Sequence, residues 1–164
     1  MKKLAVISDT HLTYIDKLPE KLKEALQGVD FICHAGDIIS EEILNQFSMI
    51  APVKAVKGNM DNDKIRMLLK DSLSFIVENR KIILFHGFGA PDGLGMRVYT
   101  QFANENPDVI IFGHSHIPTI YWHKGVLLLN PGSISRPRSG LPTISFLTID
   151  GCEITPEIHI LKDI

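Results

Sequence analysis

The chain lacks the features of a disulfide-rich or thiolate-metal protein. Among its 164 residues it has only two cysteines, Cys33 and Cys152. A disulfide framework needs more, and neither cysteine belongs to a CxxC pair, so a thiolate zinc site has no support. We therefore expect both cysteines to be buried free thiols in a reducing cytoplasm.

Long apolar runs and an excess of one charge sign are missing as well. The apolar run near the start breaks at Ser8 and Asp9, too early for a signal peptide or a membrane helix, and no later run could span a bilayer. The formal net charge is −2, and no five like charges follow one another. We expect no membrane anchor and no broad basic surface for nucleic acid.

The sequence does have enough apolar residues for a core. They make up 45 % of the chain, and the length suits one domain over residues 1–164. Ten short β-rich runs are visible: Leu4–Ser8, Phe31–His34, Val53–Val56, Phe75–Val77, Ile82–Phe85, Val109–Phe112, Ile120–Trp122, Val126–Leu129, Ile144–Ile149 and Glu153–Ile160.

Four helical patterns separate the early strands, each with a start or stop signal. They run from Leu18 to a stop at Gly28, from Ser40 onward, from a cap at Asp61 or Asn62 to Leu69, and from Leu94 to Asn106. Alternating strands and helices, followed by hairpins, predict an α/β fold with sheets packed together and helices outside.

Five of the early strands end in polar clusters, and each cluster holds a residue that can bind a metal ion. The clusters are Asp9 with His11, Asp37, Asn59 with Asp61, His86, and His114 with His116. Because the carboxyl ends of parallel strands meet at one edge of a sheet, we expect the clusters to converge. Residues i and i+2 of an extended segment face the same side, so each DxH or HxH pair can point at one centre. Each motif alone is a weak signal, and the ordered set is specific.

The ordered motifs SDTH, HAGD, GNMD, FHG and FGHSH, between Ser8 and His116, resemble those of the calcineurin-like metallophosphoesterases. The short length and the segment LNPGSIS are similar to the compact branch of small prokaryotic phosphodiesterases, to which the retromer scaffold subunit of eukaryotes also belongs. The resemblance implies two mixed β-sheets packed as a sandwich and flanked by helices, a four-layer αββα fold.

The resemblance also implies a site for two metal ions. One ion would bind Asp9, His11 and His116, the other Asn59, His86 and His114, and Asp37 would bridge them. Nitrogen and oxygen ligands suit divalent transition metals, manganese foremost, with nickel, iron, cobalt or zinc as alternatives. A hydroxide bridging the two ions would attack the phosphorus of a small phosphate ester. The catalytic residues would be Asp37, Asn59, Asp61 and His86.

Two positions depart from the family pattern. Met60 and Phe88 stand where many relatives have histidines, and the histidine at the first position is a candidate general acid. Without a general acid, we expect a phosphodiesterase that prefers leaving groups needing little protonation. A phosphomonoesterase and a catalytically weak protein-binding scaffold remain alternatives, and a homo-oligomer through Tyr121 and Trp122 is left open.

Other residues allow two interpretations. Asp61 would cap a helix or orient a ligand histidine, and the two roles are compatible. Asn130 and Ser133 would line the edge of the site or form a plain turn, which we favour. The segment GFGAPDGLG, residues 87–95, is expected to be a mobile loop over the site or a solvent loop.

Overall fold

The structure is a computed structural model that describes residues 1–13 and 17–162. The described strands are β1 (Lys2–Ile7), β2 (Phe31–His34), β3 (Val53–Ala55), β4 (Ser72–Val77), β5 (Arg80–Phe85), β6 (Val109–Ile111), β7 (Thr119–His123), β8 (Val126–Asn130), β9 (Thr143–Asp150) and β10 (Glu153–Ile160). The described helices are α1 (Glu20–Ala25), α2 (Glu41–Ser48), α3 (Asp63–Leu68) and α4 (Leu94–Phe102), with a 3₁₀ turn at Ala103–Glu105. One domain over residues 1–164 stays a prediction, and residues 14–16 and 163–164 lie outside the described part.

The strands form two five-stranded mixed sheets. The first has the order β10-β9-β1-β2-β3, in which β1, β2 and β3 are parallel and the β9–β10 hairpin is antiparallel to β1. The second has the order β4-β5-β6-β8-β7, with β5, β6 and β8 parallel and antiparallel strands at both edges. Both sheets are mixed, as predicted.

The alternation of side chains along each strand builds four layers. In β1, Leu4 and Val6 point into the core between the sheets, whereas Ile7 packs with the helices α1 and α2. In β5, Leu84 belongs to the core between the sheets and Ile83 packs against α4. Because both faces of these strands are covered, they read as continuous apolar runs. The four-layer αββα sandwich is confirmed.

Helix boundaries differ from the predicted ones where local chemistry decides them. The first helix begins at Glu20 rather than Leu18, because Pro19 at its N-cap keeps the preceding residue out of helical conformation. Asn62, not Asp61, caps α3 by accepting the backbone N–H of Ile65 at 2.9 Å. The last helix ends at Phe102 and continues only as a 3₁₀ turn.

One of the two cysteine predictions is wrong. Cys33 lies buried between the sheets, and burial raises the pKa of its thiol to about 12. Cys152 is exposed, because it occupies the two-residue turn between β9 and β10. Both are free thiols.

Two further features concern membrane binding and oligomer formation. Within the described residues, every helix is too short or too polar to cross a lipid bilayer. Trp122 on the edge strand β7 is 52 % exposed. An oligomer formed through this edge stays a prediction.

Candidate metal centre

All seven predicted ligands converge at one edge of the sandwich. The Asp37 Oδ2 atom lies 3.6 Å from His11 Nε2 and 3.5 Å from His86 Nε2. The ligands come from two sheets rather than from the edge of a single sheet: β1, β2 and β3 end here in the first sheet, and β5 and β6 in the second. A hydrogen bond from the His114 backbone N–H to the Asp9 side-chain oxygen Oδ2, at 2.9 Å, joins the two sheets at this edge.

The backbone at the ligands is left-handed rather than extended. Five ligands have positive φ: Asp9 (53°), His11 (47°), Asp37 (57°), His114 (68°) and His116 (59°). The expectation that i and i+2 share a face of an extended segment is therefore wrong, although Asp9 Oδ1 and His11 Nε2 still lie 3.9 Å apart. Each such conformation costs on the order of 1–3 kcal/mol and is found mainly at functional sites.

The first group of ligands is Asp9, His11 and His116. The Nε2 atoms of the two histidines lie 3.3 Å apart, and His116 Nε2 is 3.3 Å from Asp9 Oδ1. His116 Nδ1 donates to the Arg136 carbonyl at 2.8 Å, so a neutral His116 ring directs the lone pair of Nε2 into the group. Asp9 Oδ1 is buried and makes no hydrogen bond of good geometry. A bound cation would satisfy this oxygen.

The second group is Asn59, His86 and His114. His86 Nδ1 donates to the Ala35 carbonyl at 2.7 Å, and His114 Nε2 donates to the Gly89 carbonyl at 2.9 Å. In the neutral rings the lone pairs are then on His86 Nε2 and His114 Nδ1, and each faces Asn59 Oδ1 at 3.0 Å. These three atoms all offer electron pairs, and no proton lies between them, so together they suit a cation. The residues of both groups therefore fit metal ions.

The charges in the site are shifted by burial and by mutual contacts. Burial acts to raise the pKa of Asp9, but the contact with His116 and the charge of His86 outweigh it, and the pKa lies below its ordinary value. The same contact raises the pKa of His116. Burial raises the pKa of Asp37 and lowers that of His11. The lowered pKa values favour an ionised Asp9 and a neutral His11, the forms that bind metal, whereas the raised pKa values of Asp37 and His116 favour protons that a metal ion would displace.

Asp61 has a role that differs from both predicted ones. Its carboxylate is buried and accepts the backbone N–H of Gly58 at 2.6 Å and that of Ile39 at 2.7 Å. Asn62 caps the helix, and backbone carbonyls orient three of the ligand histidines. Asp61 therefore fixes the loop that carries Asn59, and it remains near the centre without touching a ligand histidine.

Asn130 and Ser133 form the predicted turn, in which Asn130 Oδ1 accepts the Gly132 N–H at 2.9 Å and Ser133 Oγ accepts the Arg136 N–H at 3.0 Å, and they also support the centre. Ser133 Oγ donates to the Asp9 carbonyl at 2.7 Å, and Asn130 Nδ2 donates to the Gly113 carbonyl at 2.8 Å. Both side chains are fully buried. The NPGS motif was the visible signal, and its turn residues obscured this role.

Sequence reasoning missed Arg97, which organises the glycine-rich loop. Its guanidinium donates to the carbonyls of Asp92 at 2.7 Å, Phe88 at 3.3 Å, and Ala90. The Gly89 carbonyl in the same loop orients His114. The only signal in the sequence is an arginine in the first turn of the helix that follows the loop. This arginine belongs to no recognisable motif.

A comparison with protein families decides the identity of the fold. Residues 1–152 match the model of the calcineurin-like phosphoesterase superfamily domain. The chain belongs to this superfamily. Within it, the chain is 36 % identical over 156 residues to a probable metallophosphoesterase of Methanothermobacter thermautotrophicus, covering 94 % of this chain and 90 % of that protein.

Two further members of the comparison agree with the predicted compact branch. The phosphodiesterase YfcE of Escherichia coli K12 is 30 % identical over 167 residues, covering 87 % of this chain and 84 % of that protein. The solved structure of vacuolar protein sorting 29 from Cryptosporidium parvum superposes with a TM-score of 0.85 at 20 % identity, covering 99 % of this chain and 92 % of that one. The first likeness supports the superfamily, and the second shows the fold.

Proposed function

We propose that the chain is a phosphodiesterase that uses two divalent transition-metal ions. The observation that carries the proposal is the pair of ligand groups that share Asp37, whose Oδ2 lies 3.6 Å from His11 Nε2 and 3.5 Å from His86 Nε2. Two ions bound in this way supply Lewis acidity and an activated water near neutral pH.

The charge of the ligands favours an anionic substrate. Asp9 and Asp37 are the only acidic ligands of the set, and Asn59 and the histidines bind in neutral form. Two divalent ions would therefore leave the centre positively charged, which attracts a phosphate ester without a basic surface around it. The nitrogen and oxygen donors suit divalent transition metals, and we take manganese first, with nickel, iron, cobalt and zinc as alternatives.

The residue at position 60 favours diesters. The Met60 side chain is 53 % exposed and has no proton to give a leaving group. Its backbone N–H donates to Asp37 Oδ1 at 2.7 Å, so this position helps to hold the shared carboxylate. The likeness to a protein named phosphodiesterase YfcE also supports a diester.

A protein-binding scaffold is the second candidate, because the fold superposes closely on vacuolar protein sorting 29. A scaffold has no need of oriented lone pairs or of a buried carboxylate oxygen without a hydrogen bond. The intact set of seven ligands therefore favours the enzyme.

The test is hydrolysis of bis(p-nitrophenyl) phosphate and p-nitrophenyl phosphate by metal-stripped protein, with and without added Mn²⁺. We expect Mn²⁺-dependent turnover with a higher kcat/KM for the diester. Asp37→Asn should lower kcat/KM by about 100-fold or more. The control is Asp30→Asn, since Asp30 pairs with Lys2 at 2.7 Å on the surface.

Either of two results would contradict the proposal. A higher kcat/KM for the monoester would indicate a phosphomonoesterase. No turnover of either ester with manganese, nickel, iron, cobalt or zinc would favour the scaffold.

A further inference from the structure

A cleft opens beside the second group of ligands. Its volume is about 290 Å³, and Asn59 and His86 form part of its wall. Lys57, Arg66 and Phe88 line the remainder with Asp71 and Phe85. The volume is at the lower end of the range for small-molecule sites, so the cleft suits one substituent of a substrate rather than a polymer strand.

The cleft carries a free positive charge. Lys57 Nζ lies 3.2 Å from Asp71 Oδ1, but the Asp71 side chain is 80 % exposed, so this pair is weak. Among the described residues, the Arg66 guanidinium has no ion-pair or hydrogen-bond partner. Its planar array of N–H donors suits two oxygens of a phosphate or carboxylate.

The cleft also presents an aromatic face. Phe88 is 51 % exposed, and Phe85 meets its ring edge-to-face at a centroid distance of 6.3 Å. Arg97 further fixes this residue through its carbonyl. A ring that is held in place but exposed can stack on a planar group of a ligand. This gives a role to Phe88, which departs from the histidine found in many relatives.

We propose that this cleft binds the part of the substrate beyond the scissile phosphate. A planar heterocycle stacks on Phe88, and a second anionic group binds Arg66 and Lys57. The substrate class is then a small nucleotide diester that carries an additional phosphate. The proposal rests on the proposed function only for the position of the scissile phosphate at the metal centre.

Calorimetry with two nucleotides tests the cleft without relying on turnover. We expect Mn²⁺-loaded protein to bind adenosine 3′,5′-bisphosphate about tenfold more tightly than adenosine 5′-monophosphate, because the second phosphate reaches Arg66. The metal-free protein should keep the same order of affinities, because the positive charges that bind the second phosphate are the side chains of Arg66 and Lys57.

Variants assign the preference to the cleft. Arg66→Gln should remove most of the tenfold difference, whereas Lys64→Gln should keep it. Lys64 lies on the same helix and pairs with Glu41 at 3.4 Å outside the cleft. Phe88→Leu keeps apolar volume but loses the stacking face, so it should weaken both nucleotides by about fivefold.

The outcomes separate this inference from the proposed function. Equal affinities for the two nucleotides, or equal effects of Arg66→Gln and Lys64→Gln, would overturn it even if diesters are hydrolysed. A preference for the bisphosphate in a protein that hydrolyses no diester would support the cleft and contradict the proposed function.

Discussion

At the scale of single residues, backbone carbonyls orient three histidines of the candidate centre. The carbonyls of Ala35, Gly89 and Arg136 each accept a proton from one ring nitrogen of a ligand histidine. A carbonyl can only accept a hydrogen bond, so each contact places the proton of the neutral ring on that nitrogen. The other ring nitrogen is thereby kept available for a metal ion.

A substitution at Gly58 tests how closely the expected ligands are packed. A Cβ atom at this position would lie 2.1 Å from Asp37 Oδ1. We expect Gly58→Ala to displace the shared carboxylate and to weaken Mn²⁺ binding by about 10- to 100-fold in calorimetry. In the control, Gly125→Ala, the new Cβ meets no atom within 4 Å, although φ is +80°. That variant should cost about 1 kcal/mol of stability and leave the affinity unchanged, so equal affinities in both variants would count against a crowded centre.

A substitution at Met60 tests whether the missing general acid limits the hydrolysis of diesters with poor leaving groups. The side chain is exposed beside the centre, so Met60→His introduces a proton donor without disturbing the core. We expect kcat on diesters with poor leaving groups to rise by about tenfold, and kcat on bis(p-nitrophenyl) phosphate to change little. The control is Met67→His, which adds the same imidazole at an exposed position of α3. A gain of equal size in both variants would refute the explanation.

The residues that carry motifs could be predicted, and those that act through the backbone could not. The seven expected ligands could be predicted because Asp, Asn or His directly after the end of a strand leaves a visible pattern. Asp61 and Ser133 contact only main-chain groups, so their partners depend on tertiary structure. The left-handed backbone at Asp9 and His116 was also hidden, since non-glycine residues with positive φ leave no pattern in the sequence.

At the scale of elements, the loop of residues 87–93 is a structural part of the centre rather than a solvent loop. Arg97 in the first turn of α4 holds three of its carbonyls, and a fourth orients His114. Helix and metal ligand are thus connected through the loop.

Arg97 therefore acts as a positioning residue. We expect Arg97→Gln to raise amide hydrogen exchange in residues 88–92 and to weaken Mn²⁺ binding by about tenfold. Arg97→Lys should recover part of both, because lysine keeps the charge but not the planar fork. Thr100→Ala, one turn further along α4, is the control. Unchanged metal affinity in Arg97→Gln, despite faster exchange, would restrict Arg97 to a structural role.

Strands could be predicted more accurately than helix ends. All ten strands overlap the predicted β-rich runs. For central strands such as β6 and β8, the reason is that both faces are covered and require apolar residues. The sequence predicts an end of α4 at Asn106, before Pro107, whereas the helix ends at Phe102 and only a 3₁₀ turn follows over Ala103–Glu105.

At the scale of the whole molecule, the centre joins two sheets whose strand membership the sequence could not show. The Gly113 N–H donates to the His86 carbonyl at 3.0 Å within the second sheet, and His114 N–H reaches Asp9 of the first. The strand pattern predicted sheets packed together, and the resemblance implied the sandwich, but neither assigned each strand to one of the two sheets. Metal binding should therefore stabilise the contact between the sheets as well as the site.

His34 gives the whole molecule a dependence of stability on acid. It is fully buried, and burial lowers its pKa from 6.5 to about 3. Between these values the unfolded chain binds more protons, so the stability that this residue contributes is present above pH 6.5 and lost as pH falls toward 3. We expect His34→Gln to reduce the slope of unfolding free energy between pH 6.5 and 5 by up to about 1.4 kcal/mol per pH unit.

Urea denaturation of the metal-free protein at several pH values measures this slope. The His34 Nε2 atom contacts Thr10 Oγ1 at 3.3 Å, which glutamine can reproduce, and His34→Leu serves if the glutamine variant is too unstable. Parallel pH profiles of the wild type and both variants would mean that His34 does not titrate on unfolding.

The number of metal ions per chain tests the central claim most directly. Metal-stripped protein is loaded with Mn²⁺, separated from free metal by gel filtration, and analysed by inductively coupled plasma mass spectrometry. We predict two ions per chain for the wild type, and one for His116→Ala, because this change removes a ligand of the first group only. One ion or none in the wild type would contradict a centre in which Asp37 is shared between two metals.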